Sequence, residues 1–178
     1  MLLKYLRYSS LYLPEIYQEM AYVYNKKGDI DKALWCLDMT DHINCDHIHM
    51  KVMRGHIFLS NGKTEEARKS FDKALELANN SAIVQLKIAI SYHDHLHLQY
   101  AHELYLKYFR SIEKDCKEGY SYMALCCKEL KKDDEYLYYL KKACEENPEE
   151  AKIVLSEFFP EDLEPKDYLN YALEHLND

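Results

Sequence analysis

Four histidines crowd the stretch "SYHDHLHLQYAHELY": His93, His95, His97 and His102. A second group, His42, Cys45, His47 and His49, stands in and around "HINCDHIH". Imidazole nitrogen and thiolate sulfur are preferred zinc ligands, and zinc closes about four of them into a tetrahedron. Each group nearly supplies such a set, with His93, His95 and His97 as candidates in one and Cys45, His47 and His49 in the other. Other reactive patterns are missing: the chain has no Gly-rich phosphate loop, no nucleophile elbow and no HExxH. The carboxylate pairs Glu65–Glu66 and Glu149–Glu150 suit helix starts, where the helix dipole favours negative charge. The sequence therefore reads as that of a non-enzymatic protein with no cofactor.

Bulk properties narrow the partners. The net charge of −8 repels a nucleic-acid backbone, so no nucleic acid is expected. No stretch approaches the ~20 apolar residues of a membrane span. The opening "MLLKYLRYSSLYLPEIY" has too interrupted an apolar run for an export signal. The six cysteines form no CxxC pair, which fits reduced thiols and a cytoplasmic protein.

Whether the histidines can converge depends on the elements that carry them. Gly28 and Gly62 stand 34 residues apart, and Ala33, Ala67 and Ala101 keep the same step. So do Ala21, Gly55 and Ala89, the aromatics Tyr24, Phe58 and Tyr92, and Leu37, Phe71 and Tyr105. After one inserted residue the register resumes at Ala124, Leu140 and Ala143, each 35 beyond Ala89, Tyr105 and Tyr108. Within each period the apolar residues recur at three and four, which predicts helices. Gly28 followed by Asp29 reads as a helix ending in the left-handed region and a helix opening at an Asp cap. The repeating unit is therefore a helical hairpin. Small residues at 21, 55, 89 and 124 let its helices approach closely, and large ones fill the gaps around them.

This unit resembles the tetratricopeptide repeat, a helix–turn–helix of 34 residues. The best copy is "MKVMRGHIFLSNGKTEEARKSFDKALELANN", through Gly55, Phe58, Gly62, Ala67, Phe71 and Ala74. Departures are Leu96 and Lys131 at the turn glycine, Tyr136 at a small position and Cys127 at an aromatic one. The resemblance implies an all-α fold, a right-handed superhelical solenoid of antiparallel helix hairpins forming a single domain over 1–178. Its expected parts are a partial preceding helix over 1–13 and repeats over 14–47, 48–81, 82–116 and 117–148. A shortened capping hairpin over 149–178 would close it. On the partial helix, Leu2, Leu3 and Leu6 share one face; on the cap, Tyr168, Leu169, Ala172 and Leu176 face inward.

The resemblance also implies a function. Family members bind partners on the concave face formed by the first helix of each hairpin. Carried onto this chain, that groove comprises Tyr22, Asn25, Lys26, Val52, His56, Leu59, Ile83, Leu86, Ile90, His93, Asp94, Leu125, Lys128 and Glu129. Its middle is aliphatic, which suits an apolar helix or an extended peptide, with Lys26, Asp94 and Glu129 setting register at the rim. A known family activity, holding the acidic C-terminal tails of heat-shock chaperones, uses a clamp of Lys, Asn and Arg on the first helices. The matching places carry Gln18, Tyr22, Met53, Ile83 and Lys87, and one Lys cannot grip a terminal carboxylate bidentately.

Two rivals stand beside this scaffold reading. One is a self-associating module, a homodimer through the N-terminal helix or the groove. The other is a metal-responsive protein using the histidine groups. Those groups cannot pool ligands, because turns within and between hairpins lie a helix length apart, roughly 20 Å for ~13 residues. Within "HDHLH" the imidazoles also fan around a turn, so surface histidines are the expectation.

Overall fold

The computed structural model describes residues 2–44, 46–112 and 117–176, with the side chains of 2–12 outside that description. Among the described residues the chain is all-helical, without a strand. The ten α-helices are α1 (Leu2–Lys26), α2 (Ile30–Ile43), α3 (Ile48–Leu59), α4 (Thr64–Leu77), α5 (Ala82–Asp94), α6 (Leu98–Ser111), α7 (Tyr120–Glu129), α8 (Asp133–Glu146), α9 (Pro148–Leu155) and α10 (Tyr168–Glu174). No described helix is long and apolar enough to cross a membrane. The chain divides into two compact units, Met1–Val84 and Gln85–Asp178.

Four turns share one design. At the first, Gly28 takes φ +76° and the amide of Asp29 donates to the carbonyl of Tyr24 at 2.9 Å. At the second, Gly62 takes φ +69° and Lys63 donates to Phe58 at 2.9 Å. This is the Schellman closure of a helix end, which needs a left-handed residue. The third and fourth turns make the same bonds, His97 to Tyr92 at 3.0 Å and Lys132 to Cys127 at 2.9 Å. There Leu96 and Lys131 are forced to φ +61° and +57° without being glycine. The hydrogen-bonded closure thus outweighs the steric cost of a side chain. Only Asp29 among the four following residues caps with its side chain, accepting from the amide of Lys32.

In the first unit, Ala21, Ala33, Cys36, Leu37, Met50 and Ile57 form a buried core, with Tyr17, Met20, Tyr24, Ile30, Leu34 and Met53 packed against it. Gly55 marks the closest approach: a Cβ there would stand 2.3 Å from the Phe71 ring on α4. A polar network ties α2 to α3, with Arg54 bonded to Asp38 (2.8 Å) and Asp41 (2.9 Å) and Lys51 to Asp41 (2.7 Å). The stretch 1–13 is not a separate helix, because α1 runs through Pro14 without interruption. A proline removes one hydrogen bond from a helix and can bend it without ending it. The face of Leu2, Leu3 and Leu6 lies outside the described side chains.

In the second unit, tyrosines do the work that aliphatics do in the first. Phe109 stacks on Tyr120 at 4.8 Å and on Tyr139 at 5.6 Å, joining α6 to α7 and α8. Tyr105 and Tyr108 are fully buried, and Tyr108 Oη donates to the carbonyl of Glu118. Gly119 takes φ +92°, and a Cβ there would meet Leu86 at 3.0 Å and Tyr108 at 3.1 Å. Glu150, from α9, caps the start of α7 by accepting from the Gly119 amide at 3.2 Å and the Ser121 hydroxyl at 3.1 Å. The C-terminal hairpin of α9 and α10 closes through Phe159, stacked on Tyr168 at 3.9 Å. Of its expected inner face, Tyr168 and Ala172 are buried, while Leu169 and Leu176 are half-buried.

Two stability outcomes follow from these turns and contacts. Gly55→Ala gains up to about 1 kcal/mol of helix propensity but overpacks Phe71, at a cost of about 1–3 kcal/mol. Its urea midpoint should therefore fall, and the fall should shrink when Phe71→Leu is made as well. Leu96→Gly and Lys131→Gly relieve left-handed strain worth about 1–2 kcal/mol, less the backbone entropy of glycine, about 0.5–1 kcal/mol. Each should raise the urea midpoint, whereas glycine at an ordinary helical position lowers it.

Candidate functional site

The expected groove residues separate by exposure. Tyr22, Lys26, Ile83, Asp94, Lys128 and Glu129 are exposed, and Asn25, His56, Ile90 and Leu125 are half-buried. Val52, Leu59, Leu86 and His93 are instead buried. The reason is helical register. Residues 52, 55 and 59 share one stripe, as do 86, 89 and 93. Gly55 and Ala89 are the small residues of close helix packing, so their neighbours one turn away face the same core. The groove expectation drew surface residues from a packing column. Val52, Leu59 and Leu86 belong to the buried core of the chain.

His93 shows this most clearly. Its Nε2 donates to Glu129 Oε2 at 2.8 Å, and its Nδ1 lies 3.4 Å from the Tyr105 hydroxyl. It is a buried link from α5 to α7 rather than a rim residue, and Glu129 is its partner. A parallel pair lies on the second helices, with His102 Nε2 2.7 Å from Glu135 Oε2. Lys132 Nζ stands 3.1 Å from the same His102 nitrogen and 3.2 Å from Glu135 Oε1. Burial pushes the Glu135 carboxyl up, but the bonds to His102 and Lys132 outweigh it and hold the group below its ordinary value.

The histidines of "HDHLH" do not converge. His93 serves Glu129, His95 Nδ1 bonds the carbonyl of Ser91 at 2.8 Å, and His97 meets the Tyr92 ring edge-on at 5.8 Å. In the other group Cys45 lies outside the described residues, and the buried Nδ1 of His47 has no hydrogen-bond partner. His49 is half-buried. Free thiols at Cys36, Cys126 and Cys127 are buried, and burial pushes the last two up to about 12.

A pocket of ≈ 520 Å³ in the second unit was not foreseen. It opens where α7 and α8 meet the C-terminal hairpin, and its lining includes Lys128, Lys131, Asp133, Tyr136, Phe158, Phe159, Tyr171 and His175. The Lys128 ammonium lies over the Phe158 ring at 4.9 Å and the Tyr136 ring at 5.6 Å. Partial burial pushes it below its ordinary value. A cation held on aromatic faces keeps its charge available to an anion while the rings offer apolar area. The first unit repeats the pairing on α1, where Lys26 lies 5.5 Å from the exposed Tyr22 ring. Sequence spacing pointed to Lys128 alone among its residues, because the opposite wall comes from "FFPEDLEP" and α10, which fall outside the repeat register.

Residues 48–81 match the sequence profile of the tetratricopeptide repeat. No curated protein matches the chain. Among solved structures, PilF of Pseudomonas aeruginosa is similar over 84% of this chain and 70% of its own, at 15% identity and a TM-score of 0.60. MamA of Desulfovibrio magneticus RS-1, from residue 41 to its end, is similar over 92% of this chain and 91% of its own, at 15% identity and a TM-score of 0.55. A further MamA structure is similar over 93% and 88%, at 15% identity and a TM-score of 0.53. At these identities the likeness is one of fold.

The buried histidine link has a measurable consequence. His93→Leu keeps the bulk but removes the bond to Glu129, whose exposed carboxylate turns to water, and leaves the buried Tyr105 hydroxyl without His93. An orphaned buried polar group costs about 1–3 kcal/mol. Urea unfolding should show a loss in that range, and an unchanged midpoint would remove His93 from the structural account.

Proposed function

We propose that this chain, which has the tetratricopeptide-repeat fold and carries such a repeat at 48–81, is a non-enzymatic scaffold that binds another protein through an apolar helix or peptide. Stacked hairpins are interaction scaffolds because they present extended surfaces without committing a catalytic site. The observation that carries the finer reading is the aromatic pocket of the second unit. Its rings suit an apolar side chain, and Lys128, with Lys131 beside it, suits a carboxylate on the same segment. The binding segment is therefore an apolar residue next to Asp, Glu or a free C-terminus. Exposed Ile16, Tyr22 and Val23 on α1, with Lys26, give the first unit a contact surface of the same chemistry.

Peptide display against the intact chain tests this. Recovered peptides should pair an apolar residue with an acidic one. Lys128→Glu and Phe158→Ala should each weaken them at least tenfold, about 1.4 kcal/mol, while leaving the helical circular-dichroism signal intact. Binding indifferent to both substitutions would move the site elsewhere. A chain that captures no peptide but sediments as a dimer would favour the self-associating reading.

A further inference from the structure

Among the described residues, His102, Cys127 and Glu135 form a group whose ligand atoms all lie within 4.8 Å of one another. They come from three helices, α6, α7 and α8. We propose that His102 Nε2, Cys127 Sγ and the Glu135 carboxylate are a binding site for a zinc-class divalent ion, which staples the third hairpin to the fourth. Of the histidines conspicuous in the sequence this site uses His102 alone, with partners from two other helices, and it does not depend on the pocket at Lys128.

The donor set is the first support. One imidazole, one thiolate and one carboxylate are the ligand types of zinc, and three protein ligands leave one position for water. Distances are the second. Zinc bonds of ~2.0–2.3 Å place ligand atoms about 3.3–3.7 Å apart in a tetrahedron. Here His102 Nε2 is 2.7 Å from Glu135 Oε2, and Cys127 Sγ is 3.9 Å from that same oxygen. The third pair, His102 Nε2 and Cys127 Sγ, lies within 4.8 Å, so an ion requires these side chains to open the first pair and draw the others in by about an ångström or less. His102 and Cys127 are buried and their partners fix them, so the ligands are largely in place before an ion arrives.

The third support is a conflict within the cluster. His102 Nε2 faces the Glu135 carboxylate, which calls for a proton on that nitrogen. It also faces the Lys132 ammonium at 3.1 Å, which calls for its lone pair. One nitrogen cannot do both. A metal ion satisfies both ligands at once, because it takes the nitrogen lone pair and the carboxylate charge together. The Lys132 ammonium thus stands where a cation belongs, and its side chain is one-third exposed, at 33%, so it can swing into solvent. Binding then exchanges an ammonium for the ion. The Cys127 thiol gives its proton to solvent and the sulfur lone pair forms the new bond, while His102 binds as the neutral ring with its proton on Nδ1, any proton on Nε2 leaving to solvent.

Cobalt(II) reports such a site directly. The intact, untagged chain, stripped with chelator and titrated with Co²⁺, should develop the thiolate-to-cobalt charge-transfer band and the intense visible bands of a tetrahedral ion. Zn²⁺ should displace them at one equivalent. Cys127→Ser should abolish the charge-transfer band, His102→Gln should weaken binding at least tenfold, and Cys45→Ser and Cys126→Ser should change neither. Lys132→Met, which alters no ligand and spares the fold, should tighten binding several-fold by removing the competing cation. Absence of the bands in the wild-type chain, their survival in Cys127→Ser, their loss in Cys45→Ser, or weaker binding in Lys132→Met would each overturn the proposal.

Discussion

Close approach of paired helices at one small-residue column governs the rest of this protein. Ala21, Gly55, Ala89 and Ala124 occupy it, and the three alanines are fully buried. Gly55 leaves no room for even one methyl group before the Phe71 ring is displaced. With backbones this near, the large residues of each second helix must lie in the grooves beside the column rather than on it. Leu37, Phe71, Tyr105 and Leu140 do so, and all four are buried. The turns then have little freedom. A hairpin whose helices touch at the column can close only over a short left-handed link, and Leu96 and Lys131 accept that conformation despite their side chains.

The second unit shows how a repeat fold accommodates polar material in its interior. His93 and His102 are buried between helices, yet each meets a carboxylate from the following hairpin. The first unit keeps its charges at the α2–α3 junction, where Arg54 and Lys51 hold Asp38 and Asp41. Buried pairs of the first kind are sensitive to the removal of one partner, because the remaining group is left in an apolar setting. Partly exposed networks of the second kind tolerate more change. The contact between the third and fourth hairpins is therefore the more exacting of the two.

Periodicity made the helices, the turns and the packing columns legible, because each column repeats a steric demand that only certain sizes meet. It also misled where two demands coincide. Val52, Leu59 and Leu86 look like an aliphatic binding strip, but they sit one turn from Gly55 and Ala89 and share their orientation. The histidines of 93–97 attracted attention by proximity along the chain, whereas the functional candidate joins His102 to residues 25 and 33 positions away. Such a cluster depends on how three helices are laid side by side, which no local pattern encodes. The aromatic pocket escaped for a related reason. Phe158, Phe159 and Tyr171 belong to the irregular end of the chain, where no repeat supplies a template. Pro14 is a case of a different kind, since a strong local signal for a helix start lies within a continuous helix.

The aromatic residues are unevenly shared in one further respect. The chain has 17 tyrosines but a single tryptophan, Trp35, on α2 of the first unit. Its indole is 50% exposed and meets the Tyr17 ring edge-on at 5.9 Å. Emission excited at the red edge, where tyrosine no longer absorbs, therefore originates in Met1–Val84 alone. The second unit is optically a tyrosine body, dominated by the stack of Phe109, Tyr120 and Tyr139. Tyrosines such as Tyr17, Tyr22 and Tyr24 belong to the first unit as well, so it is the tryptophan signal that reports on one unit alone, and loosening around Trp35 can be followed without attaching a label.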